Sequence, residues 1–220
     1  MEWHTARAQM ASLKRALKVT SPFYICSLIV GFIFAVLFPG YSQSFVEFSQ
    51  RGTIGGALVT PFLEPKNPLM IGLSIFLVNF VLGAVVRFVL VPILLYQVAF
   101  FLAVSVGFLF GIVIGSPSSL SYLSDFSSFG SILLMLMFVF ENIGFITTCA
   151  IGYEIGKESQ EGLTTREYLM LLLVPVHLKD AKRRETIRKG LSSNIPWIVL
   201  SLFFFILGAF FETWLIVYFR

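Results

Sequence analysis

Apolar side chains fill five long stretches of this chain, with polar and charged residues gathered between them. A helix that crosses about 30 Å of hydrocarbon at about 1.5 Å per residue needs about 20 apolar residues. The first stretch, 23–38, is preceded by Ser21-Pro22 and followed by Pro39-Gly40, and proline is tolerated in a first helical turn and stops the helix it follows. The stretch 69–115 holds Arg87 as its one charge and is long enough for two helices, so the turn is placed between Arg87 and Pro92. Spans at 23–38, 69–88, 92–115, 131–153 and 195–219 define an all-α membrane protein with five transmembrane helices.

Two shorter patterns lie outside the spans. In 1–20, Trp3, Ala6, Met10, Leu13 and Leu17 recur at helical spacing while Arg7, Lys14, Arg15 and Lys18 occupy the rest of the wheel. This predicts an amphipathic helix lying in the membrane interface, its bases on anionic headgroups; a frayed basic tail is the alternative. Residues 21–220 form one polytopic domain with a basic segment at 157–190, in which 168–176 is apolar but too short to span and is interrupted by Pro175. Between the first two spans, 40–68 reads as a loop rich in Gly, Pro and Ser whose middle, 53–63, is apolar enough to dip back toward the membrane.

Composition narrows the class. The 220 residues are 57% hydrophobic and 13% charged, against about 45–50% and about 25% in soluble domains, which excludes a soluble enzyme. The net charge of +4 matters less than its placement. Of the 16 Lys and Arg, all but Arg51, Lys66 and Arg220 fall on one side of the five-span arrangement. That bias puts the N-terminus in the cytoplasm and the C-terminus outside, in a multi-pass cell-membrane protein, with no role for nucleic acid. Trp197 and Trp214 fall near opposite ends of the fifth span, where indoles favour the two interfaces. A cleavable signal peptide over 1–40 is the competing reading, but no A-x-A-like site follows. Cys26 and Cys149 lie in apolar segments without partners at ligand spacing, so neither a disulfide framework nor a metal site is expected.

Helices in lipid associate through small residues that let backbones approach. Ala99, Ala103, Gly107, Gly111 and Gly115 recur every four residues in the third span, and Gly144, Thr148, Gly152 and Gly156 repeat the device in the fourth. Each set predicts a groove filled by another helix, within the chain or in a homodimer; scattered small residues are the bland alternative. Polar residues inside the spans are fewer. A charge at the bilayer centre costs about 2.5–3.5 kcal/mol on insertion scales, so Glu141, mid-span, and Glu212, in the outer half of the fifth span, each need a partner or water. Asn79 matches Glu141 in depth, and the two are expected to hydrogen-bond; Arg87, on the same face at spacing four, snorkels to the headgroups. With Asn142, these residues form either a polar packing lock or a proton or substrate path. Enzyme motifs are absent: His4 and His177 lie outside the spans, and there is no G-x-S-x-G, H-E-x-x-H or phosphate loop, so no catalytic residue or cofactor is expected.

Three features resemble the stage II sporulation protein M (SpoIIM) family of prokaryotic integral membrane proteins. They are Phe76-Leu77-Val78-Asn79-Phe80, the run Phe140-Glu141-Asn142-Ile143-Gly144 leading to Ala150-Ile151-Gly152, and Gly208-Ala209-Phe210-Phe211-Glu212-Thr213. The family often pairs asparagines in the second span and places His-Gly before the fourth-span Glu; here Val78 and Phe138 to Phe140 occupy those neighbourhoods. The resemblance implies a multi-pass scaffold that partners other proteins. The expected function is therefore a non-enzymatic membrane subunit, bound to lipid, assembling with itself or with membrane or cytoplasmic proteins. Lys14, Arg15, Lys18, Arg87, Lys182, Arg183, Arg184, Arg188 and Lys189 form its membrane-surface or docking face. The alternative is a transporter component, of ABC or lipid-handling type, with Glu141 and Glu212 along a path and 163–189 coupling to a soluble subunit.

Overall fold

The computed structural model describes residues 2–52, 61, 67–120, 128–164, 167 and 180–219. The side chains of Trp3, Ala6, Arg7 and Met10, the segment 53–63 apart from Pro61, and the apolar stretch 168–176 lie outside the described residues. Every element among the described residues is helical: α1 (Glu2–Leu37), α2 (Pro39–Gly52), α3 (Pro68–Phe76), a π-helical segment (Leu77–Leu90), α4 (Val91–Leu94), α5 (Val98–Gly115), α6 (Ser128–Gln160), α7 (Ala181–Ser193) and α8 (Ile195–Phe219). Five helical stretches are long and apolar enough to cross a membrane: Leu13–Leu37, Pro68–Leu94, Val98–Gly115, Phe129–Gln160 and Ile195–Tyr218. Each has exposed apolar side chains, and four carry them as a stripe, such as Ile29, Ile33 and Val36 on α1 or Val199, Phe203 and Ile206 on α8. Water would not tolerate that much exposed hydrocarbon surface, and lipid does.

Several boundaries differ from expectation. Pro22 lies inside α1 and does not start it, so the helix expected at the interface and the first span are continuous. Proline withholds the N–H that would bond the Lys18 carbonyl and strains the preceding turn. The hydroxyls of Thr20 and Ser21 donate to the carbonyls of Ala16 (3.0 Å) and Leu17 (2.6 Å), supplying hydrogen bonds in that turn. Leu13 is buried in the core and Leu17 packs against it, so this part of the stripe faces protein instead of the acyl boundary. The second span extends through Pro92 to Leu94 and turns at 95–97, later than the expected break between Arg87 and Pro92. Gln160 explains the position of that turn: its Nε2 donates to the Ile93 carbonyl (3.0 Å) and its Oε1 accepts from the Tyr96 N–H (3.4 Å). The expected loop after the first span begins as α2.

Local signals account for the other ends. Asn67 caps α3, accepting from the Met70 N–H (3.2 Å), with Pro68 next in line. Asp180 caps α7 through the Lys182 N–H (2.8 Å). Gly162, at φ 74°, ends the chain's run beyond α6, and the Arg183 guanidinium donates to the carbonyls of Ser159 (2.7 Å) and Glu161 (3.1 Å). A capping box follows, in which Thr164 donates to Glu167 from its N–H and its hydroxyl, both at 2.8 Å; these bonds hold the Glu167 carboxyl below its usual range.

The core sits around α6, which packs against α1, the second span, α5, α7 and α8. Phe145 is its centre, with ring centroids 4.8 Å from Phe205, 5.5 Å from Phe110 and 5.6 Å from Phe88. The second span leans on α8 along α3 and on α6 along the π segment.

Candidate functional site

Consecutive residues on α6 point about 100° apart, so Glu141 and Asn142 reach different neighbours. Glu141 is 4% exposed and accepts from Asn79 Nδ2 at 2.6 Å, across to the π segment. Gly208 of α8 lies directly against the Glu141 side chain, where a methyl group would come within 2.7 Å of Cγ. Glu212, one turn beyond Gly208, is half-buried. Asn142 turns the other way: its Oδ1 accepts from Tyr24 Oη at 2.7 Å and its Nδ2 donates to the Phe138 carbonyl at 2.6 Å. Glu141 thus ties α6 to the second and fifth spans, and Asn142 ties it to the first. Thr213 donates to the Ala209 carbonyl (2.6 Å) and sits against Gly72, closing the layer between α8 and α3.

The small-residue tracks meet helices of the same chain. A methyl group on Gly107 or Gly111 would overlap the carbonyl oxygens of Tyr24 and Leu28, and one on Gly115 would reach 2.9 Å from that of Phe32. Gly31 reciprocates against the Phe108 carbonyl, while Ala99 and Ala103 are buried in the core. On α6 the track divides. Gly152 and Gly156 lie against the carbonyls of Phe88 and Pro92, whereas Gly144 accommodates the Phe205 ring and Thr148 donates to the Gly144 carbonyl at 3.0 Å. The expected single groove on the fourth span therefore serves two helices, because a spacing of four drifts around a helix of 3.6 residues per turn.

Of Asn79, Gly83 and Arg87, the first two share a face turned toward α6. The π segment bonds at i→i+5, as in Val91 N–H to the Val86 carbonyl, and residues four apart still lie close together on its surface. Asn79 turns toward Glu141, Gly83 meets the Phe145 ring and Arg87 is exposed. Among the other bases, Lys14, Arg15, Lys18, Lys182, Arg184, Arg188 and Lys189 are exposed, Lys189 with Glu185 at 3.7 Å. Arg183 is the exception, half-buried and engaged with the carbonyls of Ser159 and Glu161 and with Asp180 (3.5 Å). Among the described residues, no three of His, Cys, Asp and Glu come together where they could share a metal ion.

Tyr24 and Gln160 were not anticipated. Gln160 had a signal, since it continues the series Thr148, Gly152, Gly156 at the same spacing. Tyr24 had only its hydroxyl within an apolar run. No protein-family model, curated protein or solved structure matches the chain.

Proposed function

We propose that this protein is a non-enzymatic multi-pass membrane subunit that serves as a scaffold, akin to the SpoIIM family in its placing of Asn79, Glu141 and Glu212. One observation carries the reading: polar side chains inside the spans pair with one another, Asn79 with Glu141 and Tyr24 with Asn142, and so tie α6 to its neighbours. Groups spent on each other act as locks between helices. The glycine tracks are filled from within the chain, which leaves the exposed bases of α1 and α7 as the surface for anionic lipid or a partner protein. In this reading the N-terminus and that basic end face the cytoplasm of a cell membrane, following the charge bias.

The transporter reading has its own observation: Glu212 lies one turn along α8 from Gly208, which packs against the Glu141 side chain. Proton flux into liposomes, followed with an internal pH dye, separates the two. The scaffold reading expects wild type and Glu141→Gln to leak alike, with a fixed subunit stoichiometry in complexes extracted from native membrane. Rapid flux that disappears in Glu141→Gln overturns it.

A further inference from the structure

The end of the bundle away from the basic face carries a helix of unusual surface. Phe38 separates α1 from α2, and Pro39 opens α2 at no hydrogen-bond cost. Ser42 Oγ donates to the Ala35 carbonyl at 3.3 Å and to the Pro39 carbonyl at 3.0 Å. Seven residues along a straight helix rise about 10.5 Å, so the first bond requires α2 to fold sharply across the end of α1. Gln43 Oε1 accepts the Ser118 N–H at 3.2 Å, which extends α2 over the end of α5.

Three faces follow from the 3.6-residue turn. Ser42 and Val46 point inward and are buried. Tyr41 and Phe48, two turns apart on another side, are 75% and 63% exposed, with Phe45 half-buried between them. Gln43 and Glu47 lie on the remaining side, joined at 3.1 Å. Phe38 and Leu37, next to it in the chain, are exposed as well, like the apolar stripe of α1 that they follow. Across the same end, Trp214 packs on Tyr218 and Phe129, with ring centroids at 4.9 and 5.6 Å.

We propose that α2 is an interfacial helix seated in the glycerol and headgroup layer of the bilayer, with Tyr41 and Phe48 as its anchors. One face rests on the bundle, the aromatic face meets the acyl boundary and the polar face meets water. Amphipathic aromatics favour this layer, where an apolar ring and a polar tip are both satisfied. The inference requires the spans to lie in a bilayer and is independent of the scaffold reading.

A tryptophan at position 48 tests it. In a background with Trp3, Trp197 and Trp214 changed to Phe, Phe48→Trp is placed in phosphatidylcholine liposomes brominated either near the glycerol or near the bilayer centre. Stronger quenching by the shallow bromines is expected, with blue-shifted emission, while Glu47→Trp in the same background is quenched by aqueous acrylamide and not by bromolipid. Acrylamide quenching of Phe48→Trp without bromolipid quenching overturns the proposal. So does shielding from both quenchers, which would place the face against a second protein chain. Hydroxyl-radical labelling of the unmodified protein provides a check free of substitutions: in liposomes Tyr41 and Phe48 are expected to be spared, and labelling at the level of the unfolded chain overturns the proposal.

Discussion

The seam between α1 and α5 and the seam around Glu141 hold helices together by different means. In the first, glycines bring two backbones so close that carbonyl oxygens of Tyr24 and Leu28 occupy the space a side chain would need. In the second, Gly208 makes room for a flexible side chain, and a hydrogen bond from Asn79 adds direction. A backbone seam is strict about volume and indifferent to chemistry, whereas a side-chain seam is strict about chemistry and forgiving of volume. The two seams in which glycines meet backbone carbonyls, first span with third and second with fourth, join helices running in the same direction, since residue numbers rise together along each contact, whereas Gly144 and Gly208 meet side chains between the antiparallel fourth and fifth spans. Consecutive spans run oppositely, so neither of these two backbone seams joins neighbours in the chain.

The largest effect is expected from Gly111→Leu. Its side chain must displace the backbone at Leu28, at or above the upper end of the about 1–3 kcal/mol of ordinary overpacking. The folded protein should be lost in size-exclusion chromatography in detergent; a monodisperse, stable Gly111→Leu protein would break the comparison outright. Asn79→Leu should cost about 1–2 kcal/mol in unfolding of the purified protein, the range for a hydrogen bond between helices in lipid. Gly208→Ala should cost about 1 kcal/mol, because the Glu141 side chain can yield where a carbonyl cannot, and well below the same change at Gly111. Glu141→Gln retains an acceptor for Asn79 and should cost only about 0.6 kcal/mol. If it costs more than Asn79→Leu, the acid itself and not its acceptor oxygen holds the seam.

The smallest effect lies outside both seams, at the capping box after α6. The Glu167 carboxyl is held below its usual range by bonds from Thr164, so the box is intact at neutral pH and opens as pH falls through that lowered value. A carbon NMR titration should show the Glu167 midpoint rising in Thr164→Ala. An unchanged midpoint would mean that the hydroxyl bond contributes nothing beyond the Thr164 N–H, and neither seam should respond over the same pH interval.

The polar pair Asn79–Glu141 was legible because depth in a span can be counted from its ends, and two polar residues at one depth have few other partners. The glycine tracks were legible as a period of four. Their partners were not: spacing describes one surface, and nothing in the track at Gly107 and Gly111 points to Tyr24 and Leu28. The sharing of the α6 track between two helices, the reach of Asn142 to Tyr24 and the seating of Gln160 under the 95–97 turn are likewise coincidences of position between distant parts of the chain.

By itself, the order of residues determined the number of spans and the surroundings they require, because transfer into hydrocarbon is a sum over neighbouring side chains. It also determined which surfaces could be approached closely and where an uncompensated carboxyl would be costly. Tertiary structure alone decided which helix fills each groove, that Pro22 and Pro92 lie within helices, and that α2 folds over the bundle end. Those outcomes depend on carbonyls, hydroxyls and rings brought together from residues far apart in the chain, and no local sum contains them.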